Sequence, residues 1–172
     1  AIGGDNLWVV TEGEMGNDKV LKLNLSTGAL VSSFDAPNDG TVGLTYFDDL
    51  LYIAYNGESQ GSTLGLFLEI DPSDGSYDTD DAEEIPFNGW GVQVTGLTTD
   101  GEELISAGND GSVRSFDEDG DAGDRNANWS SGYSSGVDGF AYRDSKDQFF
   151  LAKDEGLSGY TTSNHEAISG FS

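Results

Sequence analysis

Short apolar clusters, each closed off by Gly, Asp or Asn, recur along this chain of 172 residues. Leu7-Trp8-Val9-Val10, Leu50-Leu51-Tyr52-Ile53, Leu66-Phe67-Leu68 and Phe149-Phe150-Leu151 are rich in aromatic and branched side chains. Runs of that kind between turn-forming residues predict buried strands. No stretch of a dozen residues keeps a helical apolar period, so helices are not expected. The pattern predicts a folded, almost entirely β chain whose length suits one domain.

The clusters belong to a repeat. Val42-Gly43-Leu44-Thr45-Tyr46 leads through an acidic turn to Leu50–Ala54, and Thr95-Gly96-Leu97-Thr98-Thr99 leads likewise to Leu104–Ala107. Asp138-Gly139-Phe140-Ala141-Tyr142 leads to Phe149–Ala152, and Gly3-Gly4-Asp5-Asn6 before Leu7–Val10 is a copy shortened on its left. With Leu7, Leu50, Leu104 and Phe149 taken as equivalent, the steps are 43, 54 and 45 residues, the long one holding the acidic insert Ser76–Glu84.

A second landmark has the same period. Leu23-Asn24-Leu25-Ser26-Thr27-Gly28, Ile70-Asp71-Pro72-Ser73-Asp74-Gly75 and Phe116-Asp117-Glu118-Asp119-Gly120 each read as a strand end entering a tight turn. Asp or Asn can bond the backbone N–H groups ahead of it, and Gly supplies the positive φ. Tyr160-Thr161-Thr162-Ser163-Asn164-His165 holds the fourth place, and Gly28, Gly75, Gly120 and His165 are 47, 45 and 45 residues apart. A period of about 45 residues suits four-stranded propeller blades.

The segment Leu104-Ile105-Ser106-Ala107-Gly108-Asn109-Asp110-Gly111-Ser112-Val113-Arg114-Ser115-Phe116-Asp117 resembles the second and third strands of a WD-repeat blade. Phe116 stands where that family usually has Trp, and no Gly-His dipeptide lies upstream. The Asn24 and Asp71 turns resemble more closely those of NHL, YVTN and quinoprotein-like propellers. The resemblance extends over essentially the whole chain at superfamily level and implies a fold, without carrying over a catalytic residue.

The expected architecture is therefore an all-β propeller of about four four-stranded antiparallel blades, at residues 1–37, 38–87, 88–130 and 131–172. In the second blade the strands are expected at Val42–Tyr46, Leu50–Tyr55, Thr63–Ile70 and Tyr77–Ile85, and the last strand of the fourth blade at Ala167–Phe171. Three closures are open: part of a longer propeller, which is slightly favoured, two copies forming an eight-bladed ring, or four blades closing alone. Ala1-Ile2-Gly3-Gly4 has neither an initiator Met nor a basic-then-apolar leader, as in a processed protein or a piece of a longer one.

Charge narrows the function classes. With 7 basic and 32 acidic residues the formal charge is −25, which repels phosphate and disfavours nucleic-acid binding. No apolar run approaches the roughly 18–20 residues of a membrane span. Without Cys there is no disulfide, thiol nucleophile or Cys-bound zinc, and a Ser-His-Asp triad would have to use His165 alone. Asp outnumbers Glu 21 to 11 and Lys numbers only 4, a balance that resembles salt-adapted, haloarchaeal proteins. Stability is then expected to rise with salt.

Four sets of residues are candidates for a site. Asp117, Asp119 and Asp121, with Asp124 beyond, place carboxylates at alternating loop positions as Ca²⁺ requires. Ala122 replaces the glycine of an EF-hand loop and no Glu stands at its twelfth place, so a plain solvated turn is the competing reading. Arg114, on the best-defined strand, is either a local counterion or a channel cation holding an anion. Trp90 and Tyr133, on Gly-rich loops before a blade's first strand, suit stacking on a glycan or peptide, or else wedge between blades. Asn24 and Asn128 open N-glycosylation triplets, relevant if the protein is exported.

These features point to a non-catalytic module for binding or assembly, on a cell surface, secreted or in an extracellular assembly. Its partners would be a protein, a glycan or copies of itself, with no cofactor other than Ca²⁺. The alternative is a lyase or hydrolase using carboxylates and Ca²⁺ near the central channel. Convergent Asp, Arg or His in that channel would favour the enzyme.

Overall fold

The computed structural model describes residues 1–11, 18–38, 40–59, 62–87, 91–123, 129–130, 139–143, 148–153 and 156–161. Turn chemistry sets the strands. The Asn24 carboxamide oxygen accepts from the Ser26 and Thr27 N–H groups at 3.1 and 2.9 Å, and Gly28 takes φ 69°. This reverses the chain from β3 (Lys19–Asn24) into β4 (Leu30–Asp35). Asp71 accepts from Ser73 N–H at 2.7 Å ahead of Gly75, and Asp117 from Asp119 and Asp121 N–H at 3.1 and 2.9 Å around Gly120. The second landmark of the repeat is thus one structural position in three blades.

Four antiparallel sheets follow one another. The first runs β1 (Ile2–Gly3), β2 (Asn6–Thr11), β3, β4. The second runs β5 (Thr41–Phe47), β6 (Leu50–Ser59), β7 (Ser62–Ile70), β8 (Glu83–Glu84). The third holds β9 (Val94–Thr99), β10 (Leu104–Gly108), β11 (Ser112–Phe116) and β12 (Trp129–Ser130). In the fourth the described strands are β13 (Gly139–Arg143), β14 (Gln148–Lys153) and β15 (Gly156–Thr161). The strand expected at Ala167–Phe171 lies outside the described residues.

Two expectations are corrected. Leu7, Leu51, Leu104 and Phe149 pair with Leu23, Ile70, Phe116 and Tyr160, so the second-blade equivalent of Leu7 is Leu51, not Leu50. The cause is the hairpin Asp48–Asp49, whose two residues at φ 46° and 65° form a tighter turn than the third blade's loop at 100–103. The segment Tyr77–Ile85 is not a full strand either. Thr79–Asp81 is a 3₁₀ turn capped by Asp78, which accepts from Asp80 N–H at 3.0 Å, and only Glu83–Glu84 pairs with β7. Consecutive acids that bond their own backbone compete with a ladder and bring no side chain to pack.

Each blade has a face toward the previous blade and a face toward the next. Leu51, Ile53, Tyr55, Leu68 and Ile70 look back and cluster with Trp8 and Val20 of the first blade. Tyr52, Ala54 and Phe67 look forward and cluster with Val94, Leu97, Leu104 and Phe116 of the third. The Phe67 and Phe116 ring centroids are 4.8 Å apart. Asn56 bridges the same two blades, accepting from Val94 N–H at 2.8 Å and donating to its carbonyl at 3.1 Å. The first strands line one side of the stack, β5 packing on β9 and β9 on β13. Among the described strands no packing of that kind joins the fourth sheet to the first.

Candidate functional site

Where the second and third blades meet, their outer turns enclose a basin of about 550 Å³. The second blade contributes Glu69 and Asp71 from the end of β7, Asp78 and Asp81 from the 3₁₀ turn, and Glu83 from β8. The third contributes Glu118 and Asp119 from the turn after β11. Phe67, Tyr77 and Ser76 complete the described lining. The basin exists because the turns after β7 and β11 are equivalent positions of adjacent repeats and so lie side by side.

Its electrostatics favour cations. The Tyr52 hydroxyl donates to Glu69 Oε2 at 3.4 Å. Burial first, then the charges of Glu69 and Glu118 and that hydrogen bond, hold this phenol well above the ordinary tyrosine value. The Ser73 hydroxyl and backbone N–H hold the Asp71 carboxyl below the ordinary carboxylate value. Seven carboxylates around aromatic surface suit a lysine or arginine side chain better than an anion.

Of the residues singled out from the sequence, Arg114 is 5% exposed on β11, the third strand of its blade. It pairs in register with Ser106, on the face where Leu104 and Phe116 meet the second blade. Its guanidinium donates to the Val113 carbonyl at 2.9 Å; burial lowers its pKa, and Asp110 opposes that shift. Asp117, Asp119 and Asp121 lie on the turn after β11, with Asp117 Oδ1 accepting the two N–H groups described above. Among the described residues no group of three or more His, Cys, Asp or Glu side chains is arranged to hold a metal ion. Asn24 lies on the turn after β3, where Oδ1 also accepts from the Ser26 and Thr27 hydroxyls at 2.8 and 2.9 Å. Trp90, Tyr133, Asp124, Asn128 and His165 lie outside the described residues.

Sequence reasoning did not find the basin, because its acids come from two repeats. The signal was present: Asp71 and Glu118 flank the same landmark in successive blades, and spatial adjacency follows once the blades are stacked.

Three solved structures share this arrangement. The computationally designed Ika8 protein is 14% identical, with a TM-score of 0.52 over 98% of this chain and 46% of its own. A chain of the mitotic checkpoint complex is 14% identical, with a TM-score of 0.54 over 96% of this chain and 48% of its own. The Pan2 WD40 domain of Neurospora crassa is 13% identical, with a TM-score of 0.54 over 95% of this chain and 50% of its own. No family model matches the chain, and no curated protein matches it by sequence. The sheets, their order and these likenesses define the fold as that of a β-propeller. The chain spans about half the length of the propellers it matches. No helix among the described residues is long and apolar enough to cross a membrane.

Proposed function

We propose that the protein is a binding and assembly module of propeller type, without chemistry of its own, acting on a cell surface or in a secreted assembly. The observation that carries this reading is what the turn carboxylates do. Asp71, Asp74, Asp78, Asp100, Asp110 and Asp117 each accept a backbone N–H two to four residues further along. Each shapes its own turn, a structural role that accounts for these acids without a substrate. One of the similar structures is itself part of an assembly, the mitotic checkpoint complex. The Asn24 triplet, on a turn where Leu25 is exposed, supports the placement outside the cell.

Within that reading the partner presents a lysine- or arginine-rich segment to the basin, alkyl stems against the exposed Tyr77 and cations toward Glu69 and Glu118. A lysine-rich peptide titrated calorimetrically at low salt is expected to bind, and Glu118→Gln to weaken it about three- to tenfold. Asp5→Asn, an equal charge change on the first blade, should leave the affinity unaltered. Equal losses in both variants, or no binding at low salt, would contradict the assignment of the basin.

A further inference from the structure

A side-chain amide fastens the second blade to the third. Asn56, on β6, accepts from Val94 N–H at 2.8 Å and donates to the Val94 carbonyl at 3.1 Å. Its carboxamide does what a paired strand residue does, offering one acceptor and one donor to a single residue of β9. Val94 is 1% exposed, in the apolar layer with Tyr52, Phe67 and Leu97. Counted from Leu51 and Leu104, Asn56 matches Asn109 of the third blade. Asn109 turns instead to its own blade, accepting from Gln93 N–H at 3.2 Å. Asn109 precedes Asp110, whereas Asn56 precedes Gly57.

That difference is chemical. The nitrogen of a glycine after Asn is unshielded by any Cβ and can attack the carboxamide carbon. In that step the Gly57 nitrogen gives up its proton and bonds Asn56 Cγ, the Cγ–Nδ2 bond breaks, and ammonia leaves with the proton. Water then opens the cyclic imide at either carbonyl, leaving aspartate or isoaspartate. The stacked blades withhold both reactants. The carboxamide is turned to Val94 and away from its own main chain. The nitrogen is held in the ladder. Gly65 accepts from Ile85 N–H at 2.9 Å, so by antiparallel alternation the next pair, Gly57 with Leu64, is the one that exchanges bonds. Both restraints go only when the second blade parts from the third and the end of the β6–β7 hairpin opens.

We propose that Asn56 is a deamidation site gated by the blade contact: unreactive while the blades are stacked, reactive once they part, and unable to restore the contact afterwards. The product lacks the donor to the Val94 carbonyl and sets a carboxylate against that oxygen. It also adds a negative charge to a formal −25. Isoaspartate, in addition, lengthens the main chain of β6 within its ladder. A chain that has opened at this contact therefore keeps a permanent mark of it.

Peptide mapping by mass spectrometry after incubation at mildly alkaline pH reads the conversion at position 56. In molar salt it is expected to run at least about a hundredfold slower than in unfolding urea, because only the open fraction reacts. Gly57→Ala should slow the conversion several-fold in urea, where no fold intervenes. Asn56→Asp should lower the urea midpoint distinctly more than Asn109→Asp, an equal charge change at the matching place; complete unfolding of Asn56→Asp counts as the larger shift. Conversion in the folded chain as fast as in urea would overturn the gate, and none in urea would overturn the site. Equal midpoint shifts in the two Asp variants would overturn the loss of contact.

Discussion

Gly43→Val is expected to destabilise the protein by about 3 kcal/mol or more, at the upper end of what overpacking a core costs. The obstacle is backbone. The added Cβ would lie 2.6 Å from the Leu97 nitrogen, 2.8 Å from Leu97 Cβ and 3.1 Å from the Gly96 carbonyl carbon. No rotamer change relieves this; β5 and β9 would have to separate, and with them the second and third blades. The sign is informative because valine suits strands better than glycine does. Gly139→Val provides the contrast: Gly139 pairs with Ala152 as Gly43 pairs with Ala54, and among the described residues its Cβ would meet only Ala152 Cβ at 3.6 Å, so stability should change by less than about 1 kcal/mol. Urea melts of both variants in molar salt measure the difference. A Gly43→Val chain as stable as the unaltered one would mean that the blades do not stack as described.

Phe67→Ala is expected to cost about 3–5 kcal/mol, the usual range for emptying a buried aromatic site. Phe67 is 2% exposed, with its ring centroid 4.8 Å from Phe116 and 6.4 Å from Tyr52. It therefore holds together two blades, not one. Single domains have about 5–15 kcal/mol in all, and repulsion among 25 net negative charges takes part of that away at low salt. The variant should consequently fold in molar salt and lose its cooperative melt in dilute buffer. Phe34→Ala, at a half-buried ring 6.4 Å from Trp8, should cost distinctly less. Equal losses at the two sites would argue against a core between the second and third blades.

The repeat was legible because turns are local. Asn24, Asp71 and Asp117 bond N–H groups within four residues, so their role could be read from spacing alone. Strand faces were less legible. Aligning apolar residues put Leu50 with Leu104, and only the two-residue Asp48–Asp49 turn moves the match to Leu51. A slip of one residue exchanges the forward and backward faces of a strand. Tyr77–Ile85 was misread because its period fits a blade's fourth strand, while its Asp residues favour a capped turn. The basin and the close approach of Leu97 to Gly43 needed the stacked blades, since each is defined by what the neighbouring repeat brings to it. A formal charge of −25 opposes a compact state through self-repulsion. In the structure the acids named above lie in turns and around the basin, while Leu51, Ile53, Leu104 and Ile105 form a dry interior.

Native-state hydrogen exchange in molar salt tests the stacked-blade account most directly. The amides of β6, β7, β10 and β11, whose side chains make the two apolar layers, should exchange only through global unfolding. Those of β4, where Leu30–Ser33 are exposed, should exchange much faster. Exchange of β6 and β10 within seconds, or protection of β10 without β6, would contradict a stack in which each blade's core is completed by the next.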